Sequence, residues 1–161
     1  MMHLHILATG GTIDKIYFDA LSEFSIGDPA AERLLTQVNP NLTWEVTSLL
    51  RKDSLELTDA DRELIKKTVN ESEAKHLVIT HGTDTMTDTA KQLKSIEGKT
   101  IVITGAMQPA LCRETDAEFN LGGAVALAQA LPHGVYIFMN GRIYDPDKVT
   151  KNRAAKQFQD A

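Results

Sequence analysis

The 161-residue sequence has little of what marks a secreted, cysteine-stabilised or membrane protein. Its one cysteine, Cys112, cannot form a disulfide framework or a cysteine-based metal cage. No apolar run approaches the roughly 18 residues that are needed to cross a bilayer. Leu4–Ala8 has no basic segment before it and is followed at once by glycines, so a secretory signal is not expected. We therefore predict a cytoplasmic protein in a reducing compartment.

Charge and composition exclude further classes. The net charge is −5, so no overall positive field favours nucleic acid or an anionic membrane as a partner. The residues are 42% hydrophobic and 24% charged, which is typical of a globular protein and not of a disordered or fibrous one. A chain of this length has room for one core, so we expect a single domain over residues 1–161.

Short apolar runs predict the strands. There are five: His5–Ala8, Thr43–Leu50, Leu77–Thr80, Thr100–Thr104 and Val135–Met139. The last three contain continuous apolar stretches, as do strands that are buried on both faces of a parallel sheet.

Helical patterns fill the gaps between these runs. One helix is predicted to start with Asp28 as its N-cap and Pro29 at the first helical position. Others are predicted after a capping box at Thr58–Asp61, over Thr85–Ser95 and over Asp116–Ala130. Strands that alternate with helices indicate βαβ units with right-handed crossovers. The predicted fold is a three-layer α/β domain with a mostly parallel, flavodoxin-like (Rossmann-like) sheet.

Glycines, hydroxyls and acidic residues cluster directly after the predicted strands. The clusters are at 9–12, 51–54, 81–85, 105–109 and 140–142. In an open parallel sheet, ligands bind in the crevice outside the carboxyl ends of the strands. We therefore expect all five loops to line one rim.

Motifs for several common chemistries are missing. There is no G-x-x-x-x-G-K-[ST], no complete dinucleotide fingerprint, no G-x-S-x-G and no H-E-x-x-H. The five histidines lack metal-ligand spacing, and only His81 lies near the predicted rim. No metal and no cofactor are expected.

The rim retains hydroxyls, an acid and a lysine. A threonine hydroxyl needs a neighbouring base before it can act as a nucleophile. Tyr17 lies five residues after Thr12, and Lys151 is a candidate to reach Thr83 beside Asp84. These side chains describe acyl transfer from an amide or ester. A packed Tyr17 ring and a solvated Lys151 are the alternatives at this point.

The backbone of the same loops offers hydrogen-bond donors. The N–H groups of Gly11, Thr12 and Thr83 are candidates to stabilise a developing oxyanion. In the simpler interpretation, the glycines at 10 and 11 only allow a tight turn from strand to helix.

Five motifs together resemble the threonine-dependent bacterial L-asparaginases. They are T-G-G-T-I-D at 9–14, H-G-T-D-T-M at 81–86, G-A-M-Q-P at 105–109, D-x-x-F-N-L at 116–121 and V-T-K-N at 149–152. They occur in family order over nearly the whole chain. The resemblance implies hydrolysis of asparagine to aspartate and ammonia without metal or cofactor. Because a lone domain leaves the rim open to water on one side, we predict a homodimer or homotetramer that covers it.

The resemblance also implies roles for individual residues. Thr12 corresponds to the nucleophile, and Lys151 completes an arrangement with Thr83 and Asp84. Asp84 would also bind the α-amino group of the substrate.

Three further residues correspond to the family's substrate contacts. Ser54 would bind the α-carboxylate, with Asp53 beside it either at the substrate or capping the turn. The backbone carbonyl of Ala106 would meet the leaving amide nitrogen.

The chain departs from the family pattern in three ways. The usual second, C-terminal domain is expected to be absent, as in short asparaginases. Phe24 lies in the segment where the family has the tyrosine of its mobile active-site loop, so Tyr17 is the candidate to replace that tyrosine. Leu55 occupies the position after the substrate-binding serine, where the family often has a glutamine. A glutaminase-type amidohydrolase and a non-catalytic amino-acid-binding module therefore remain alternatives.

Overall fold

The computed structural model describes residues 2–18, 20 and 22–161, and its centre is a six-stranded sheet. The strands of the described chain are β1 (His3–Gly10), β2 (Lys15–Phe18), β3 (Glu23–Ile26), β4 (Thr43–Lys52), β5 (His76–Thr80), β6 (Thr100–Thr104), β7 (Gly134–Met139), β8 (Arg142–Tyr144), β9 (Val149–Asn152) and β10 (Gln157–Asp160). The central sheet has the order β4-β1-β5-β6-β7-β8, with β8 antiparallel at the edge. Its five parallel strands, counted along the chain, follow the order 2-1-3-4-5, which is the flavodoxin-like order. The predicted sheet is confirmed.

Helices cover both faces of this sheet. The helices are α1 (Ala30–Val38), α2 (Asp59–Glu71), α3 (Met86–Leu93) and α4 (Ala117–Ala130). Leu34, Leu35 and Leu121 of α1 and α4 pack with Leu4 and Val78 in one buried cluster. A second cluster on the opposite face contains side chains of α2 and α3. The result is the predicted three-layer arrangement.

Side chains cap the starts of α1 and α2. Thr58 and Asp61 form the predicted capping box of α2. The start of α1 differs from the prediction, because Pro29 occupies the N-cap position and cannot supply a side-chain acceptor. Instead, Asp14 from the loop after β1 accepts a hydrogen bond from the Ala30 N–H at 2.8 Å. A distant carboxylate therefore caps this helix.

Two hairpins lie outside the predicted elements. The first pairs β2 with β3, and the second pairs β9 with β10. Both join neighbouring segments through short antiparallel strands.

Residues 140–142 follow the carboxyl end of β7, at the edge of the sheet where the loops after the other parallel strands also lie. Asn140 and Gly141 form the turn between β7 and β8, and both have the positive φ that such two-residue turns favour. The Asn140 Oδ1 accepts a hydrogen bond from the Phe158 N–H at 2.7 Å, so this loop holds β10.

Among the helices of the described residues, none combines the length and the apolar character required to span a membrane.

Candidate active site

Glycines bring the loops after β1, β4 and β5 into direct backbone contact. A Cβ atom at Gly10 would lie 2.5 Å from the Lys52 nitrogen, and one at Gly11 would lie 2.5 Å from the Gly82 nitrogen. A Cβ atom at Gly82 would in turn lie 2.7 Å from the Cβ of Ser54. Any side chain at these positions would separate the loops. The contact lies between β1 and β5, where the strand order reverses and ligands bind in such sheets.

This contact places two threonines next to each other's loops. Thr12 follows Gly11, and Thr83 follows Gly82, so each threonine is one residue from the point where the two backbones touch. Thr83 is buried, whereas Thr12 is half-buried at the start of a 3-10 turn over Thr12–Asp14.

Lys151 joins Thr83 and Asp84 in a charged cluster. Its Nζ donates to the Thr83 Oγ1 at 2.6 Å and to the Asp84 Oδ1 at 2.9 Å. The Lys151 side chain is only 17% exposed, so it is not the solvated surface lysine of the alternative interpretation. The arrangement joins a hydroxyl, an amine and a carboxylate, although their residues are far apart in the chain.

The second hairpin carries Lys151 to this position. Lys151 on β9 pairs with Phe158 on β10, and Phe158 is buried in the core. The Tyr144 hydroxyl donates to the Phe158 carbonyl at 2.7 Å. With Asn140 on the Phe158 N–H, both backbone groups of that residue are anchored to β7–β8.

Ser54 lies at the centre of the loop contact. It is buried, its Oγ accepts from the Thr85 N–H at 3.3 Å, and its carbonyl accepts from the Thr85 Oγ1 at 2.8 Å. Thr85 therefore bridges to Ser54 and does not cap α3 through its side chain. This connection fixes the Ser54 loop to the Thr83 loop.

Asp53 is engaged by the protein. Its Oδ1 accepts from the Leu55 N–H at 3.1 Å, and its Oδ2 lies 3.9 Å from the Lys15 Nζ. It caps the short turn over Ser54–Glu56, which was the alternative to substrate contact.

The Gly11 N–H does not fit the expectation that it would face an oxyanion. It donates to the Lys52 carbonyl at 3.0 Å, so this donor already has a partner. Gly11 contributes through its missing side chain, since its φ of 83° and the close approach of Gly82 both favour glycine.

The loop after β6, which contains the buried Ala106, is fixed by α4. The Asp116 carboxylate accepts from the N–H groups of Met107 and Gln108, and the Asn120 Nδ2 donates to the Gly105 carbonyl. Sequence reasoning missed this function of Asp116 and Asn120. Their spacing within D-x-x-F-N-L, one helical turn apart, was the available signal.

Tyr17 lies on the first hairpin and is not bonded to Thr12. Its ring packs edge-on against Phe24, directly opposite on the paired strand, with the ring centroids 5.6 Å apart. Both residues are about half exposed, Tyr17 at 49% and Phe24 at 54%. The expected approach of the Tyr17 phenol to Thr12 therefore stays a prediction.

His81 is a buried support of the Thr83 loop. The His81 Nδ1–H donates to the Gly82 carbonyl, because a carbonyl can only accept. The Nε2 of the neutral ring therefore accepts from the Thr89 hydroxyl, which in turn accepts from the Arg62 Nε. Burial lowers the pKa of His81 from 6.5 to about 4, so the ring is neutral at pH 7. It positions Gly82 and carries no charge.

Within residues 2–18, 20 and 22–161, no group of three or more His, Cys, Asp or Glu side chains is placed to hold a metal ion.

Comparison with known proteins identifies the family. The family described as "Asparaginase, N-terminal" matches residues 3–159. The chain therefore belongs to the asparaginase family, within the part that corresponds to its N-terminal domain.

Individual relatives agree with this assignment. A glutaminase-asparaginase of Acinetobacter glutaminasificans is 34% identical over 160 residues, which cover 91% of this chain and 48% of the relative. The crystal structure of L-asparaginase I from Vibrio cholerae has a TM-score of 0.85 at 26% identity, covering 99% of this chain and 51% of the other. A probable cytoplasmic L-asparaginase from Campylobacter jejuni has a TM-score of 0.78 at 28% identity, covering 99% and 52%. The chain thus spans about half the length of the proteins that it matches.

Proposed function

We propose that this protein hydrolyses L-asparagine to L-aspartate and ammonia. The observation that carries the proposal is the contact of the Lys151 Nζ with both the Thr83 Oγ1 and the Asp84 Oδ1, beside the loop that presents Thr12. Family membership supports the same reaction class.

In the proposed mechanism, the Thr12 hydroxyl oxygen attacks the side-chain amide carbon of asparagine. Tyr17, on the hairpin that follows, takes the hydroxyl proton, directly or after the hairpin moves towards Thr12. Tyr17 passes a proton to the leaving nitrogen, the carbon–nitrogen bond breaks, and ammonia departs from the tetrahedral intermediate, leaving an acyl ester on Thr12. Water then hydrolyses this ester to aspartate and restores the Thr12 hydroxyl.

The second cluster supports the same steps. Lys151 holds the Thr83 hydroxyl in place and provides positive charge near the developing oxyanion. The Asp84 carboxylate binds the α-ammonium group, and Ser54 donates to the α-carboxylate. The Ala106 carbonyl accepts a hydrogen bond from the leaving nitrogen.

Glutamine is the second candidate substrate. The relative from Acinetobacter glutaminasificans is named a glutaminase-asparaginase, and the reaction on a side chain one methylene longer uses the same groups. Leu55 adds an exposed apolar side chain beside Ser54, and this does not favour either amide.

We also propose that residues 1–161 act as an N-terminal-type asparaginase domain, as a homodimer or homotetramer. A cytoplasmic location is supported by the naming of the Campylobacter jejuni neighbour as a probable cytoplasmic enzyme.

Ammonia release from purified protein tests the activity. We expect turnover of asparagine, and a loss of more than about 1000-fold in kcat for Thr12→Ala and for Thr83→Ala, because each removes a reacting or supporting hydroxyl. Thr36→Ala, on the exposed face of α1, is the matched control and should keep full activity.

Parallel assays on asparagine and glutamine decide the substrate. Tight aspartate binding without ammonia release from either amide would identify a binding module instead of an enzyme. Wild-type rates in Thr12→Ala would contradict the proposed nucleophile.

A further inference from the structure

A second cation lies beside Asp84, outside the motifs that carry the family resemblance. Arg153 begins the turn between β9 and β10, and its Nε is 3.3 Å from the Asp84 Oδ1. This is the oxygen that Lys151 also contacts at 2.9 Å. Two cations therefore share one carboxylate oxygen, and within the described residues the Asp84 Oδ2 makes no hydrogen bond.

The terminal nitrogens of Arg153 point to a ligand-binding function. Its side chain is 67% exposed, and in the described part of the chain its two Nη groups make no hydrogen bond. A guanidinium group offers these donors as a planar fork that matches a carboxylate. The Nε contact with Asp84 leaves the fork available.

The neighbouring cations are already engaged. The Arg51 guanidinium pairs with Asp28 at 2.7 Å, and the Lys52 ammonium pairs with Asp61 at 2.8 Å. Lys151 is held by Thr83 and Asp84. Arg153 is thus the cation next to Asp84 that has donors to offer.

A free amino acid brings a carboxylate as well as an ammonium group into the site. A bound carboxylate that meets only a neutral hydroxyl, such as that of Ser54, loses hydration without gaining an opposite charge. A pair made of the Asp84 Oδ2 and the Arg153 fork presents one acceptor and adjacent donors, which complement a zwitterion.

We propose that Arg153 is a specificity-determining residue that binds the α-carboxylate of the substrate through its terminal N–H groups. The proposal rests on the proposed function and deepens it, since it names a residue outside the family motifs that recognises the substrate's α-carboxylate. An asparagine within a peptide has no α-carboxylate and gains nothing from Arg153.

The test compares two substrates in two Arg153 variants. L-asparagine has the α-carboxylate, and L-asparaginamide has a neutral amide in its place. Arg153→Gln should raise the KM for asparagine about 10-fold or more, with kcat changed less than about threefold, because a charge-assisted contact is lost. The KM for asparaginamide should not change, and Arg153→Lys should recover part of the asparagine affinity.

Arg113→Gln is the matched control, since Arg113 is an exposed arginine on a different loop and should leave both KM values as they are. An equal rise in KM for both substrates would overturn the carboxylate contact and show a general electrostatic effect. An unchanged KM for asparagine would show a solvated surface pair, which is generally worth little. A lower KM would show that Arg153 competes with the substrate ammonium for Asp84.

Calorimetric binding separates this inference from the proposed activity. Aspartate and its α-amide, isoasparagine, differ only at the α-carboxylate, and their binding needs no turnover. If the wild type binds aspartate but releases no ammonia, the hydrolysis fails, and the loss of aspartate binding in Arg153→Gln still supports the carboxylate contact. A wild type that releases ammonia from asparagine but binds neither ligand overturns the carboxylate contact and leaves the hydrolysis proposal standing.

Discussion

Asp14 is a buried carboxyl group that connects the first hairpin to α1. Its side chain caps α1 at Ala30, while its backbone carbonyl accepts from the Gly27 N–H at 2.8 Å, just after β3. Burial raises the pKa of Asp14 from 3.8 to about 6, against the opposing effects of the Ala30 N–H and the Arg51 charge. The capping bond is thus obtained at the cost of desolvating a charge.

This pKa predicts a pH-dependent stability. The folded-state pKa lies above the unfolded value, so the contribution of Asp14 is fully present below about pH 4 and is lost as the pH rises through about 6. Asp14→Asn keeps an acceptor for the Ala30 N–H but cannot ionise. The free energy of unfolding of the variant, measured with urea, should therefore rise by roughly 2 kcal/mol relative to that of wild type between pH 4.5 and pH 7.5.

An exposed carboxylate provides the comparison. Asp160→Asn, on the exposed surface of β10, is the control for the removal of one carboxylate and is measured at the same two pH values. If the free energies of unfolding of Asp14→Asn and wild type differed by the same amount at both pH values, the pKa of Asp14 would not be raised in the folded protein.

At the scale of elements, the position of the β2–β3 hairpin determines whether Tyr17 can take the proton of Thr12. Lys15 at its base lies 3.9 Å from Asp53, and the pairing of Tyr17 with Phe24 puts a phenol on the strand next to Thr12. If the hairpin brings that phenol to Thr12, Tyr17→Phe should lower kcat at least about 100-fold while KM changes little.

The control for this variant is Tyr136→Phe on β7, where the hydroxyl donates to the Pro132 carbonyl away from the loops of the site. Steady-state kinetics with asparagine measures both variants. A Tyr17→Phe rate within twofold of wild type would require the proton acceptor to come from elsewhere.

The parallel strands were predictable because burial on both faces leaves a strong signal. Every residue of β6 is buried, and the prediction gave its bounds without error, whereas the other four parallel strands extend one or two residues further at one or both ends. The hairpins gave no such signal. Residues 15–18 and 23–26 are mostly exposed, so no alternation between core and solvent marks them.

The motifs and their placement after the strands predicted the cluster of Thr83, Asp84 and Lys151, because the family resemblance relates residues that are distant in the chain. They did not predict Arg153, whose position depends on the turn between β9 and β10. They also misplaced the Gly11 N–H, because its partner, the Lys52 carbonyl, is fixed by the β1–β4 register.

At the scale of the whole molecule, exposed apolar side chains support the proposed homo-oligomer. Ile16, Tyr17, Phe18 and Phe24 of the first hairpin are each between 43% and 54% exposed. Tyr17 and Phe24 share one face of the hairpin, and Ile16 and Phe18 share the other, because successive residues of a strand point to opposite faces. Exposed apolar groups that lie together mark interaction sites more often than isolated ones do. A second copy of the chain is the partner that the proposal names.

Size-exclusion chromatography with light scattering tests this at several protein concentrations. We expect the mass of a dimer or tetramer of the 17.7 kDa chain, with activity following that species. A monomer with full activity at every concentration would contradict the oligomer and leave the hydrolysis proposal standing.

The β9–β10 hairpin also has a consequence for synthesis on the ribosome. Lys151 lies 68 positions after the threonine that it contacts, and β7 and β8 both precede it in the chain. Every strand of the central sheet precedes the amine in the chain, so the cluster of Thr83, Asp84 and Lys151 cannot form until all six of these strands have been synthesised. Termination of translation between β8 and β9 would therefore yield the strands of the central sheet without the amine of the cluster.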